Sequence, residues 1–162
     1  MYAATPARRP RTRWRRRLPA ARLSAVAAPQ IEGYGHIDLT VTDGPRSAQW
    51  WHDVIGFDLV IEVDKPGFHV WGMLHSSGAY VGLMTHENPV AEPFDERAVG
   101  LDHLAFNVRD RSILEEWAQH LDRHGVPHSG IKDENGGPLL TFRDPDNIQL
   151  EFHAYDPGLV EL

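Results

Sequence analysis

Two stretches of the chain alternate apolar and polar residues with period two, and they resemble each other. In GYGHIDLTVTD, residues 33–43, Ile37, Leu39 and Val41 fall on one face while His36, Asp38 and Thr40 fall on the other. In GLDHLAFNVRD, residues 100–110, Leu104, Phe106 and Val108 share one face and His103, Ala105 and Asn107 the other. Each alternating stretch predicts a strand, over 34–42 and 101–108, and each leads into a helical pattern, near 45–54 and 110–124. Asp43 and Asp110 stand where a helix N-cap belongs, and Gly56 and Gly125 stand where the helices end. Apolar strand-like runs follow at about 57–63, 68–74 and 79–85, punctuated by DKPG and HSSG. Strands are expected at 138–143 and 147–154, with a further short one around 126–131. NPVAEPFDERAV, residues 88–99, has two prolines, three acids and little periodicity, and reads as a linker.

The two halves align without gaps through their first elements, at an offset of 67. His36 matches His103, Val41 matches Val108, Asp43 matches Asp110 and Trp50 matches Trp117. Four matches in one frame, with a shared order of elements, predict an internal βαβββ repeat. Trp50 and Trp117 are then expected as core anchors on the two helices, with Trp51 beside them.

The apolar face of each strand must pack on its helix, so both histidines point to the opposite, polar side. In NIQLEFH, residues 147–153, Ile148, Leu150 and Phe152 pack inward while Gln149, Glu151 and His153 look the other way. His36, His103 and Glu151 thus form a two-histidine, one-carboxylate set on polar faces. Neutral imidazoles and a carboxylate suit Fe(II), Mn(II) or Zn(II), and three protein ligands leave positions open for water or substrate.

Composition narrows the chemistry. An apolar content of 41% with five Trp and six Phe supports a real core. There is no cysteine, which removes disulfides, thiolate zinc sites and cysteine nucleophiles, and fits a cytoplasmic setting. The net charge of −7 is uneven: residues 1–22 hold eight Arg and no acid, leaving eight basic against 23 acidic side chains beyond them, formally −15. An acidic body argues against nucleic-acid binding by the folded part. The Arg-rich head, residues 1–30, reads as a disordered extension, with an export or transit signal and binding to RNA or anionic lipid as alternatives. No stretch approaches the ~18 apolar residues of a membrane span.

The paired βαβββ pattern, GHIDLTVTD with GLDHLAFNVRD, and the closing FRDPDNIQLEF resemble the vicinal oxygen chelate superfamily, over about residues 31–156. The superfamily includes glyoxalase I, extradiol dioxygenases, fosfomycin-modifying transferases, methylmalonyl-CoA epimerase and bleomycin-resistance proteins. The resemblance implies an α+β fold in which two βαβββ modules, about 31–88 and 99–156, form a curved mixed sheet around a concave metal-binding cup; residues 157–162 are a tail. It places the first-strand ligand on His36, the fifth-strand ligand on His103 and the eighth-strand glutamate on Glu151. Asn147 stands where the family commonly has glycine, and asparagine tolerates the turn. At the fourth-strand position where glyoxalase I has a second glutamate, this chain has Gly82, with Tyr80 and Met84 on the same face. The remaining triad is similar to that of extradiol dioxygenases and fosfomycin transferases.

The resemblance implies chelation of a small substrate through two vicinal oxygens by a divalent ion. A ring-cleaving dioxygenase-type enzyme is the first expectation. A redox-neutral lyase, isomerase or epimerase and a non-catalytic natural-product-binding resistance protein are the alternatives. Among the histidines that could move protons, His69 shares a strand face with Trp71 and Met73, and His153 shares parity with Glu151, ahead of His75, His86 and His128. Tyr80 is a third candidate for the pocket. Members with one pair of modules commonly form homodimers, and His36 then faces its own chain's His103 and Glu151 or a partner's.

Overall fold

The computed structural model describes residues 29–90, 92–134 and 136–156. The expectations for the Arg-rich head and for the tail at 157–162 therefore lie outside the described residues, save for 29 and 30.

Each half builds the same unit. In the first, β1 (Ile37–Thr40) leads into α1 (Gly44–Trp50), then β2 (Phe57–Lys65), β3 (Phe68–His75) and β4 (Tyr80–His86). In the second, β5 (Leu104–Asn107) leads into α2 (Arg111–Arg123), then β6 (Lys132–Glu134), β7 (Gly137–Arg143) and β8 (Gln149–His153). The strand orders are β1-β4-β3-β2 and β5-β8-β7-β6, so the repeat is structural as well as sequential. In both four-stranded sheets the first strand runs parallel to the last, and the other pairs are antiparallel. The protein is α+β, two mixed sheets with few helices.

The aspartates cap both helices as their positions predict. Asp43 accepts from the Arg46 amide at 3.0 Å, and Asp110 from those of Ser112 and Ile113 at 2.9 and 3.3 Å. Gly56 and Gly125 end the helical segments at φ 84° and 66°, where a Cβ would be strained. The first helix differs from its expectation over 45–54, because its second part, Trp51–Ile55, is a π-turn. The wider turn brings Trp51, Val54 and Ile55 together into the interior. Trp51 is thereby fully buried, edge-on to Phe57 at 5.3 Å, and is a deeper anchor than Trp50 or Trp117. Trp117 is half-buried and stacks on Phe152 at 4.1 Å. The short strand expected at 126–131 forms later, at β6. Pro127 lacks an amide donor and Gly130 takes φ 68°, so only an isolated bridge, His128 to Phe142, forms earlier.

Both sheets bury their apolar faces in one shared core. Trp51 and Phe57 of the first module meet Phe106 of the second at 6.3 and 5.7 Å, and Trp50 meets Phe142 at 6.4 Å. His120 Nε2 on α2 donates to the Val54 carbonyl at the π-turn, at 2.9 Å. A polar lock closes the other end: Asp146, in the β7–β8 turn, accepts from Ser47, Arg46 and Thr42. The linker is pinned to that same turn region, where Arg143 grips Glu96 at 2.9 and 3.0 Å. That guanidinium holds the Glu96 carboxyl down to about 2. Among the described residues no helix is long and apolar enough to cross a membrane.

Candidate metal centre

The alternation that buries Ile37, Leu39 and Val41 leaves His36, Asp38 and Thr40 on the outer face of the first sheet. The register places Asp38 beside Gly82 on β4, and Gly82 beside Gly72 on β3. His36 Nε2 lies 3.8 Å from Asp38 Oδ2, and its ring is edge-on to Tyr80 with centroids 6.0 Å apart. His36, Tyr80 and Asp38 therefore form one group. The two glycines are what lets them lie flat: a Cβ at Gly82 would collide with the Asp38 carboxylate, and one at Gly72 with the Tyr80 hydroxyl.

The outer face of the second sheet carries the other candidates. Glu151 on β8 pairs with Ala105 on β5 and Thr141 on β7, and His103 precedes β5 at the parity of Ala105. Glu151 is 7% exposed, which is unusual for a carboxylate in a strand. His153 lies beside it, Nδ1 at 3.6 Å from Oε1, and its ring meets Tyr155 edge-on at 5.8 Å. His103 Nδ1 is 2.6 Å from its neighbour Asp102, an arrangement that orients the imidazole.

These two groups stay apart within one chain. Among the described residues, no three His, Asp or Glu side chains converge as a set that could hold a metal ion. The reason is architectural: both sheets turn their apolar faces to the shared core, so both polar faces look away from it. His69 joins neither group. It pairs with Thr85 in the row of Trp71, Leu83, Met73 and Val81, which is the helix side of the first sheet. There it stacks on Trp71 at 4.1 Å and bonds Asp64, on the face opposite His36. Its shared parity with Trp71 and Met73 is real, but that is the core parity. His75 is tied to Ser77 at 2.8 Å, His128 is 3.2 Å from Asp122, and His86 packs on Phe68.

The donor set of the second sheet fits a cation. Among the described residues no hydrogen bond reaches the buried Glu151 carboxylate, and His153 Nε2 is buried without a partner. A largely buried carboxylate that faces only an imidazole, at 3.6 Å, can accept a positive charge, and a divalent ion supplies one. The β7–β8 turn that positions this strand is organised by a second buried acid. Asp144 Oδ1 accepts from the amides of Asp146 and Ile148 at 2.9 and 2.8 Å, while Oδ2 is buried near the Trp51 indole without completing a hydrogen bond. Burial pushes the Asp144 carboxyl up to about 6, against the pull of those two amides.

Asp38 is the functional candidate that the strand pattern alone passed over. Part of the signal is in the sequence, where Asp38 shares the parity of His36 two residues on; the glycine it faces, Gly82, shows only in the strand pairing.

Similarity to known proteins covers this whole region. Residues 33–152 match the model of the Glyoxalase/Bleomycin resistance protein/Dioxygenase superfamily. The chain is 34% identical over 122 residues to the uncharacterized protein YaeR of Escherichia coli (strain K12), covering 73% of this chain and 92% of that one. It is 33% identical over 124 residues to catechol-2,3-dioxygenase of Bacillus subtilis (strain 168), covering 76% of this chain and 41% of that longer protein. Among solved structures, a glyoxylase/bleomycin resistance protein/dioxygenase domain from Frankia sp. EAN1pec superposes with a TM-score of 0.74 at 27% identity, covering 80% of this chain and 96% of that one. The repeat, the sheet order and these likenesses agree, and the chain belongs to the Glyoxalase/Bleomycin resistance protein/Dioxygenase superfamily.

Proposed function

We propose that the chain is a metal-dependent enzyme that binds a small substrate through two vicinal oxygens, at a centre shared between two copies. His36 from one copy would meet His103 and Glu151 from the other, with a divalent ion such as Fe(II), Mn(II) or Zn(II) between them. The observation that carries this reading is Glu151, a buried strand carboxylate without a hydrogen bond, in a chain whose described residues bring no three metal-ligating side chains together. A bound ion would supply Lewis-acid stabilisation of negative charge developing on substrate oxygen. The chain's own residues do the rest: Asp102 orients His103, His153 stands against Glu151, and Tyr80 stands edge-on to His36.

Three protein ligands on a six-coordinate ion leave three positions, enough for a catecholate and dioxygen together. The likeness to catechol-2,3-dioxygenase supports that dioxygenase-type reading. A redox-neutral lyase, isomerase or epimerase is the second reading, favoured by the Asp38 carboxylate beside His36. Oxygen uptake with catechols and ferrous iron separates the two. Uptake that depends on His36 and Glu151 supports ring cleavage, and turnover of a vicinally oxygenated substrate in strictly anaerobic buffer supports the redox-neutral chemistry.

A further inference from the structure

We propose that Asp38 is a fourth protein ligand to the ion that His36 helps to hold. The inference rests on the shared-centre reading above and narrows it.

Three observations carry it. Asp38 Oδ2 and His36 Nε2 are 3.8 Å apart, on adjacent same-face positions of one strand. Two donor atoms each ~2.1 Å from a common ion are separated by roughly 3 Å when cis and by up to ~4.2 Å when opposed, so this pair spans one ion with little rotation. Among the described residues Asp38 has no cation or hydrogen-bond donor to answer it other than that imidazole, and 3.8 Å is too long for a hydrogen bond to it. Finally, the carboxylate occupies the space over a glycine that a Cβ would otherwise take. Glycine weakens a central strand unless something must approach the backbone closely, and at Gly82 what approaches is the Asp38 carboxylate. Gly72, its register partner, does the same for the Tyr80 hydroxyl. Asp38 and Gly82 thus act as one unit, a carboxylate and the space that holds it beside His36.

The consequence is a count of open positions. His36, Asp38, His103 and Glu151 would leave two on a six-coordinate ion. Two positions accept the paired oxygens of a vicinal substrate and leave none for dioxygen. A fourth protein ligand therefore favours the redox-neutral reading over the dioxygenase-type one.

The test is Mn(II) binding to the purified full chain, read by equilibrium dialysis and by water-proton relaxation, which reports the number of exchangeable waters on the ion. Asp38→Asn is expected to weaken Mn(II) binding by about 10-fold or more and to add one inner-sphere water. Gly82→Ala keeps the carboxylate but evicts it, and is expected to do the same; circular dichroism of each metal-free variant checks the fold, and Asp38→Asn carries the test if Gly82→Ala does not fold. His36→Ala reports on the underlying reading. Loss of Mn(II) in His36→Ala with unchanged affinity and water count in Asp38→Asn overturns the proposal and leaves the shared centre standing. Unchanged binding in His36→Ala overturns the shared centre itself, and the fourth ligand with it.

Discussion

Ser47 Oγ donates to Asp146 Oδ2 across 3.2 Å, joining the first module's helix to the second module's β7–β8 turn. Ser47 is fully buried, and Arg46 and Thr42 bring two more donors to the same carboxylate. The helix follows the strand that starts at His36, and the turn precedes the strand that bears Glu151. One carboxylate therefore fixes the relative placement of the two candidate half-sites. Asp146→Ala leaves a buried hydroxyl unpaired and removes a charge-assisted contact, so it is expected to cost on the order of 2–4 kcal/mol. Urea denaturation measures it, and a change below about 0.5 kcal/mol would show that the lock is ornamental.

Asp144 gives the fold a pH dependence of opposite sign to an ordinary ion-paired acid. Its folded carboxyl is raised from 3.8 to about 6 by burial, so the folded state holds the proton more tightly than the unfolded chain. The associated stability is fully present below pH 4 and is lost as pH rises through about 6. The raised value corresponds to on the order of 3 kcal/mol by neutral pH. Asp144→Asn keeps an oxygen for the amides of Asp146 and Ile148 and cannot ionise. Its stability relative to the wild type should therefore improve from pH 4.5 to pH 8, as read by urea midpoints. Parallel curves for the two proteins would refute the assignment.

Asn147 carries the turn at φ 66°, and its side chain donates to the Phe94 carbonyl at 3.3 Å. Glycine removes the strain and the hydrogen bond together, so Asn147→Gly should stay within about 1 kcal/mol of the wild type. A β-branched side chain is poorly tolerated at positive φ, and Asn147→Val is expected to cost about 1–3 kcal/mol. Thermal denaturation of the two variants checks the order; equal melting temperatures would contradict it.

Much of this architecture was legible in the sequence because it is written in parity and repetition. The alternation in 33–43 and 100–110 placed His36 and His103 opposite the apolar faces, and Asp43 and Asp110 marked the helix starts. The same reasoning put His69 on the face of Trp71 and Met73 without saying which side of the sheet that face takes. Parity says which residues share a face, and only the pairing of β3 with β4 says which face that is. The π-turn at Trp51–Ile55 escaped because two adjacent tryptophans fit a regular helix equally well in one dimension. Asp38 escaped for a similar reason: its partner Gly82 is a cross-strand neighbour, and sequence distance hides it.

The central claim, that one metal centre is assembled from two copies, is tested most directly by complementation. His36→Ala and Glu151→Ala chains are unfolded together, refolded, and assayed for Mn(II) by equilibrium dialysis. Each variant alone should bind no stoichiometric Mn(II). In a random mixture half the dimers pair the two variants and restore one of two centres, so binding should return to about a quarter of the wild-type level. Wild-type binding with no recovery in the mixture would place the centre within a single chain and contradict the account.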